Sequence, residues 1–92
     1  MEFEWNLQKS DSNLVKHKVS FEEATSVFGD ALSFTFSDNQ HSIQEQRYLI
    51  VGLSKKNRIL VISHVYRGDE VIRLISARIA TKKEQKFYES RQ

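Results

Sequence analysis

Cysteine and proline are absent from these 92 residues, and glycine occurs only three times. Without thiols the chain has no disulfide, iron–sulfur cluster or thiolate zinc site, so packing alone must stabilise it. With no proline, and with Gly29, Gly52 and Gly68 far apart, connections should be short and well specified. The same scatter excludes a glycine-rich phosphate loop or a dinucleotide fingerprint. Long apolar runs are missing as well: nothing approaches the roughly 20 residues of a transmembrane helix, and the opening MEFEWNLQKS lacks the cationic start and apolar centre of a signal peptide. The expectation is a cytoplasmic protein with no membrane association.

What is present fits an ordinary globular chain, 39% hydrophobic and 28% charged. The length suits one core, so residues 1–92 are read as a single domain. The net charge of +2 conceals a division. Up to Ser54 four Lys or Arg face eight Asp or Glu, a balance of −4, whereas from Lys55 onward ten face four, a balance of +6. A cationic half offers phosphates a landing surface, although lysines that merely solubilise a helix would look the same.

Leu7 to His17 carries Leu7, Leu14 and Val15 at helical spacing, with Asn6 as the cap. A second helix begins at Ser20, where Ser20-Phe21-Glu22-Glu23 has the capping-box pattern, and its stripe of Phe21, Ala24, Val27 and Phe28 stops at Gly29. From Ala31 the period becomes two, and strands are expected over Leu32 to Phe36, Gln46 to Ser54, Arg58 to Arg67 and Glu70 to Ile79. The short turns Lys55-Lys56-Asn57 and Gly68-Asp69 make the last three an antiparallel meander. Thr81-Lys82-Lys83-Glu84 is another capping box and opens a C-terminal helix. The expected fold is therefore α+β: two N-terminal helices, a four-stranded, mostly antiparallel sheet, and a C-terminal helix.

Chemistry has few places to reside. His17, His41 and His64 fall in three separate elements, which argues against a metal site, and no cofactor is expected. Arginines are better placed. Arg47 precedes the apolar part of one strand, Arg67 ends the next, and Arg73 and Arg78 interrupt the apolar run Val71 to Ile79. A buried arginine needs a carboxylate, a groove or an anion, so each is either a structural ion pair or an anion contact. In an unbulged strand Arg73 and Arg78 point to opposite faces. His64 could transfer a proton near neutral pH or could simply be packed and hydrogen-bonded.

Several of these residues fall in a pattern similar to a known family. Phe3-Glu4-Trp5-Asn6, Lys9, Asn13, Lys16-His17, Val19 to Ala24 and Val27-Phe28-x-Asp30 resemble the opening signature of the BrnT toxins. His41-Ser42, Glu45, Arg47, Gly52-Leu53, Arg67-Gly68, Ile72 to Arg78, Ala80-Thr81 and Tyr88 continue the resemblance in order. It implies the toxin of a bacterial type II toxin–antitoxin pair, with a RelE-like ribonuclease fold, a metal-independent endonuclease activity that cleaves RNA and inhibits translation, and a BrnA-type ribbon-helix-helix antitoxin as partner. DNA would be reached only through that antitoxin. Carried over by position, Arg67, Arg73 and Arg78 handle the phosphate, and His64, Glu45 and Tyr88 are the candidates for proton transfer. Arg47, Arg73, Lys16, Lys82 and Lys83 are the candidates for RNA binding. Asn6 stands where Asp is usual and Lys18 where Gly is usual, departures that concern helix caps. A non-catalytic RNA- or protein-binding module, acting as co-repressor with its antitoxin, fits the same residues.

Overall fold

The computed structural model describes residues 1–91, so Gln92, the last residue of the expected domain, lies outside the described residues. Five strands form one sheet: β1 (Glu2–Glu4), β2 (Phe34–Ser37), β3 (Tyr48–Leu53), β4 (Ile59–Arg67) and β5 (Val71–Ile79), in the order β1-β5-β4-β3-β2. Between β1 and β2 lie α1 (Leu7–His17), the short α2 (Phe21–Thr25) and a 3-10 turn at Ser26–Gly29, while α3 (Lys82–Glu89) follows β5. The expected meander is there, with β3, β4 and β5 antiparallel and β2 antiparallel to β3.

The sheet differs from expectation in having a fifth strand and a parallel pairing. β1 precedes the helices and runs parallel to β5, with Glu2 opposite Val71 and Glu4 opposite Arg73. Its three residues carry one apolar side chain, Phe3, too little for a period-two signal. The pairing that defines it comes from the far end of the chain.

Helix starts follow the caps. Asn6 Oδ1 accepts from Lys9 N at 3.0 Å, Ser20 Oγ accepts from Glu23 N at 3.0 Å, and Thr81 with Glu84 completes a reciprocal capping box. At Ser20 the box is only half made, because the Glu23 side chain turns inward. That carboxylate is 1% exposed and accepts from Ser54 Oγ at 2.7 Å and Arg58 Nε at 3.0 Å, with a second bond from the Arg58 guanidinium, which also donates to the Lys18 carbonyl at 3.0 Å. The Arg58 hydrogen bonds hold the Glu23 carboxyl below its usual range despite burial. This cluster ties α2 and the end of α1 to the β3–β4 turn.

Helices α1 and α2 cover one face of the sheet. Val19, Phe21, Ala24 and Val27 pack there against Ile50, Leu60, Ile62, Ile72, Leu74 and Ala77, with Phe3, Trp5 and Phe28 at the margin. The other face has a smaller cluster of Val51, Val61, Ala80 and Tyr88, because α3 covers only part of it. Each fully buried side chain of this size contributes about 1.5–3 kcal/mol, so the helix-covered face carries most of the apolar stabilisation. The partly open face is left for other work.

Two backbone positions constrain this packing. Lys18, which ends α1, has φ 61°, a left-handed conformation that glycine adopts without strain. We predict that Lys18→Gly raises the unfolding free energy by about 1 kcal/mol, since the carbonyl used by Arg58 is retained; urea denaturation would show no gain if the cap were unstrained. Gly52 sits where an added Cβ would lie 2.8 Å from Ser33 Cβ and 3.0 Å from Val27 Cγ1. Gly52→Ala is expected to destabilise the fold by about 1–3 kcal/mol, and an unchanged thermal midpoint would contradict that close approach.

Candidate functional site

A bulge in β5 decides which side chains reach the open face. His64 pairs with Leu74 but its neighbour Ser63 pairs with Ser76, so Ile75 is an extra residue in β5. Leu74 and Ala77 consequently both enter the helix-covered core, although they are three residues apart. Arg73 and Arg78 therefore share the opposite, open face, which corrects the expectation that they point to opposite sides. Behind the bulge, the Asn13 side chain donates to Ala77 O at 2.8 Å and Val19 O at 2.9 Å and accepts from Ala77 N at 3.0 Å. It supplies the edge of β5 with the partner that β1 no longer provides.

On the open face Ser63, Ser76, Leu49 and Ile75 floor a groove of about 520 Å³, whose walls include Arg47, Arg78, Asp38 and His41. Arg78 is held by Glu84 through two parallel bonds, at 2.7 and 2.9 Å, which also fix the first turn of α3. Arg47 is different. Its Nε is a buried side-chain atom without a hydrogen-bond partner among the described residues, and the nearest carboxylate, Glu45 Oε1, stands 3.6 Å away. Its contact with Glu45 is thus a loose ion pair and not a hydrogen bond, which leaves the donor open.

The loop between β2 and β3 is folded back onto this groove. Asp38 N donates to Arg47 O at 2.9 Å, and the Ser42 hydroxyl donates to Asp38 O while accepting from Arg47 N. The Asp38 carboxylate accepts from His41 Nδ1 at 2.9 and 3.1 Å. Among the described residues no group of three or more His, Cys, Asp or Glu is arranged to hold a metal ion.

The anticipated site residues divide sharply. Arg47, Arg73 and Arg78 lie on the open face, Arg73 paired with Glu4 at 2.8 Å. Arg67, exposed at the end of β4, walls an adjoining hollow of about 330 Å³ with Glu45, Tyr48 and Tyr66. Lys16 borders a separate cleft beside α1, together with Lys9, His17, Ile75 and Ser76. Lys82 and Lys83 are exposed in the first turn of α3.

Two expected proton-transfer residues are placed elsewhere. His64 is fully buried on the helix-covered face, its Nδ1 donating to Ile62 O at 3.2 Å and its ring 5.0 Å from Phe28. Burial pushes its pKa down, and the sheet separates it from the arginine groove. Tyr88, 2% exposed, packs on Val51 and Val61 and donates its hydroxyl to Asp30. Both are thus buried and hydrogen-bonded, and neither lines the arginine groove. The groove residues to which spacing gave no chemical role are His41 with Asp38, Ser63 and Ser76. His41 was dismissed as a metal ligand, and only the folded loop brings it to the groove.

A five-stranded mixed sheet with α1 and α2 over one face and arginines on the other, partly open face defines a small α+β protein. Residues 5–84 match the family described as the ribonuclease toxin BrnT of type II toxin–antitoxin systems. The chain belongs to this family, as its motifs suggested, and a toxin of this type implies an antitoxin partner. Its fold is similar to that of the Brucella abortus ribonuclease toxin BrnT in a crystal structure, with a TM-score of 0.69 and 20% identity across 89% of this chain and 99% of that one. At that identity the likeness establishes the fold alone. No curated protein sequence matches this chain.

The Arg78–Glu84 pair has a pH signature. Hydrogen bonding to Arg78 lowers the Glu84 pKa from 4.5 to about 2. A depressed carboxylate contributes stability above its unfolded pKa and loses it as pH falls toward the folded value. We predict that stability declines between about pH 5 and pH 2 and declines less steeply in Glu84→Gln; parallel curves for the two proteins would contradict this assignment.

Proposed function

We propose that this protein is an RNA endonuclease that cleaves by metal-independent acid–base chemistry. In the same reading residues 1–92 act as one RelE-like toxin domain in the cytoplasm, inhibiting translation until a BrnA-type ribbon-helix-helix antitoxin binds. DNA is reached only through that antitoxin. The observation that carries the proposal is the buried, unsatisfied Nε of Arg47 in a groove shared with Arg78. A phosphate oxygen would supply the missing acceptor. The two guanidiniums would then stabilise charge on the pentacoordinate phosphorus, where fixed cations act most strongly. Arg67 and Arg73 extend the positive surface on either side, and Lys16, Lys82 and Lys83 serve as outlying phosphate contacts. Glu45 and His41 are the groups near these arginines able to move a proton.

Cleavage of a single-stranded test RNA, measured with chelator present, tests the reading. Arg47→Ala and Arg78→Ala should each lower kcat by about 100-fold, the scale of one lost transition-state contact. Undiminished cleavage by both variants would sink the arginine assignment, and activity abolished by chelator would sink the metal-independent route. A second reading draws support from the packing of His64 and Tyr88 into the core: a non-catalytic module that binds RNA or protein and acts as co-repressor. It predicts RNA binding without cleavage in the same assay.

A further inference from the structure

The chemistry of the groove still lacks a proton acceptor, and the β2–β3 loop supplies one. Asp38 is largely buried, with its side chain 12% exposed, while His41 is 65% exposed. A short 3-10 turn at Asn39–His41 brings the two together, with His41 N donating to Asp38 O at 3.3 Å. The loop is anchored at its base by the Asp38–Arg47 backbone bond and across its middle by Ser42. The Asp38 backbone is thus held from both sides of the loop. Because a carboxylate only accepts, the contacts of 2.9 and 3.1 Å place a proton on His41 Nδ1 and leave Nε2 as the basic nitrogen.

Resting on the ribonuclease reading above, we propose that His41 is the general base of the reaction and that Asp38 positions it. His41 walls the groove that contains Arg47, Arg78, Ser63 and Ser76. Glu45, the other group able to act there, borders the outer hollows and not this groove. Nε2 takes the proton of an RNA 2′-hydroxyl. The resulting oxygen forms a bond to the adjacent phosphorus as the P–O5′ bond breaks, leaving a 2′,3′-cyclic phosphate. The departing 5′-oxygen takes a proton from water, and the imidazolium, steadied by Asp38, returns its proton to solvent. Nothing is oxidised or reduced. An Asp–His pair three residues apart can also serve only to staple a loop, so the test needs a readout that a staple would not change.

That readout is the pH dependence of RNA cleavage by the intact protein between about pH 5 and pH 8. Asp38, Glu45, Arg47 and Arg78 are the charged groups around His41. Wild type should gain activity as pH rises through the imidazole range. His41→Ala should lose about 100-fold or more in kcat together with that rise, and recover part of the loss when free imidazole is added. Its affinity for a non-cleavable 2′-O-methyl RNA should stay within about two-fold of wild type. Asp38→Asn should keep the rise but lower kcat by about 10-fold, because the imidazole loses the acceptor that orients it. Wild-type rates in His41→Ala, a pH rise that survives the substitution, or joint loss of binding and cleavage would each overturn the base assignment. Failure of wild type to cut RNA at any pH would overturn the ribonuclease reading itself, a separate result.

Discussion

The carboxamide of Asn13 is the contact on which the placement of everything else depends. β1 accompanies β5 only as far as Arg73, and beyond that point the outer edge of β5 turns toward α1. Asn13 gives Ala77 both an acceptor and a donor, doing for one residue what a neighbouring strand would do. An unpaired buried backbone group costs about 1–3 kcal/mol, so two of them without this side chain would be a large fraction of the stability of a small domain. The same amide bonds Val19 O and so joins both ends of the α1–α2 connection to the sheet. With Ala77 fixed in the core, Ile75 bulges and Arg78 emerges on the open face.

From there the two faces diverge in chemistry. On the helix-covered side a cation is consumed by the fold: Arg58 neutralises buried Glu23 and joins three elements. On the open side the pairs are looser. Arg73 is held by Glu4 from the short β1 and Arg78 by Glu84 from α3, both at partly exposed sites. Pairs at partly exposed sites can rearrange when phosphate arrives. Arg47 and Arg67 remain the least committed, Arg47 with its inner nitrogen unsatisfied. The cationic excess of the second half is therefore only partly available to a ligand, since the fold has already claimed Arg58.

Local features were legible in the sequence because local rules produce them. Asn6, Ser20 and Thr81 start helices where their side chains cap free amides, and Lys55 to Asn57 and Gly68 turn the meander as short polar turns should. The expected strand over Gln46 to Ser54 is β3, whose alternation puts Leu49 and Val51 on one face and Ile50 on the other. What escaped was long-range. β1 is strand only because β5 lies beside it, and the bulge is visible only once Leu74 and Ala77 are known to share a core. Glu23 looked like a capping residue until Arg58 drew it inward. His64 and Tyr88 stand at family positions, and their burial on β4 and under α3 depends on contacts that spacing does not show. His41 was legible as a residue and not as a site, because its partner Asp38 and its arginine neighbours meet only in the folded loop.

The claim that the open face around the bulge receives RNA can be tested directly by mapping amide chemical shifts of isotopically labelled protein titrated with a non-cleavable 2′-O-methyl RNA. The largest changes should fall at His41, Arg47, Ser63, Ser76 and Arg78, with α2 and the Glu23–Arg58 cluster unmoved. Shifts confined to the helix-covered face, with the groove silent, would contradict the account.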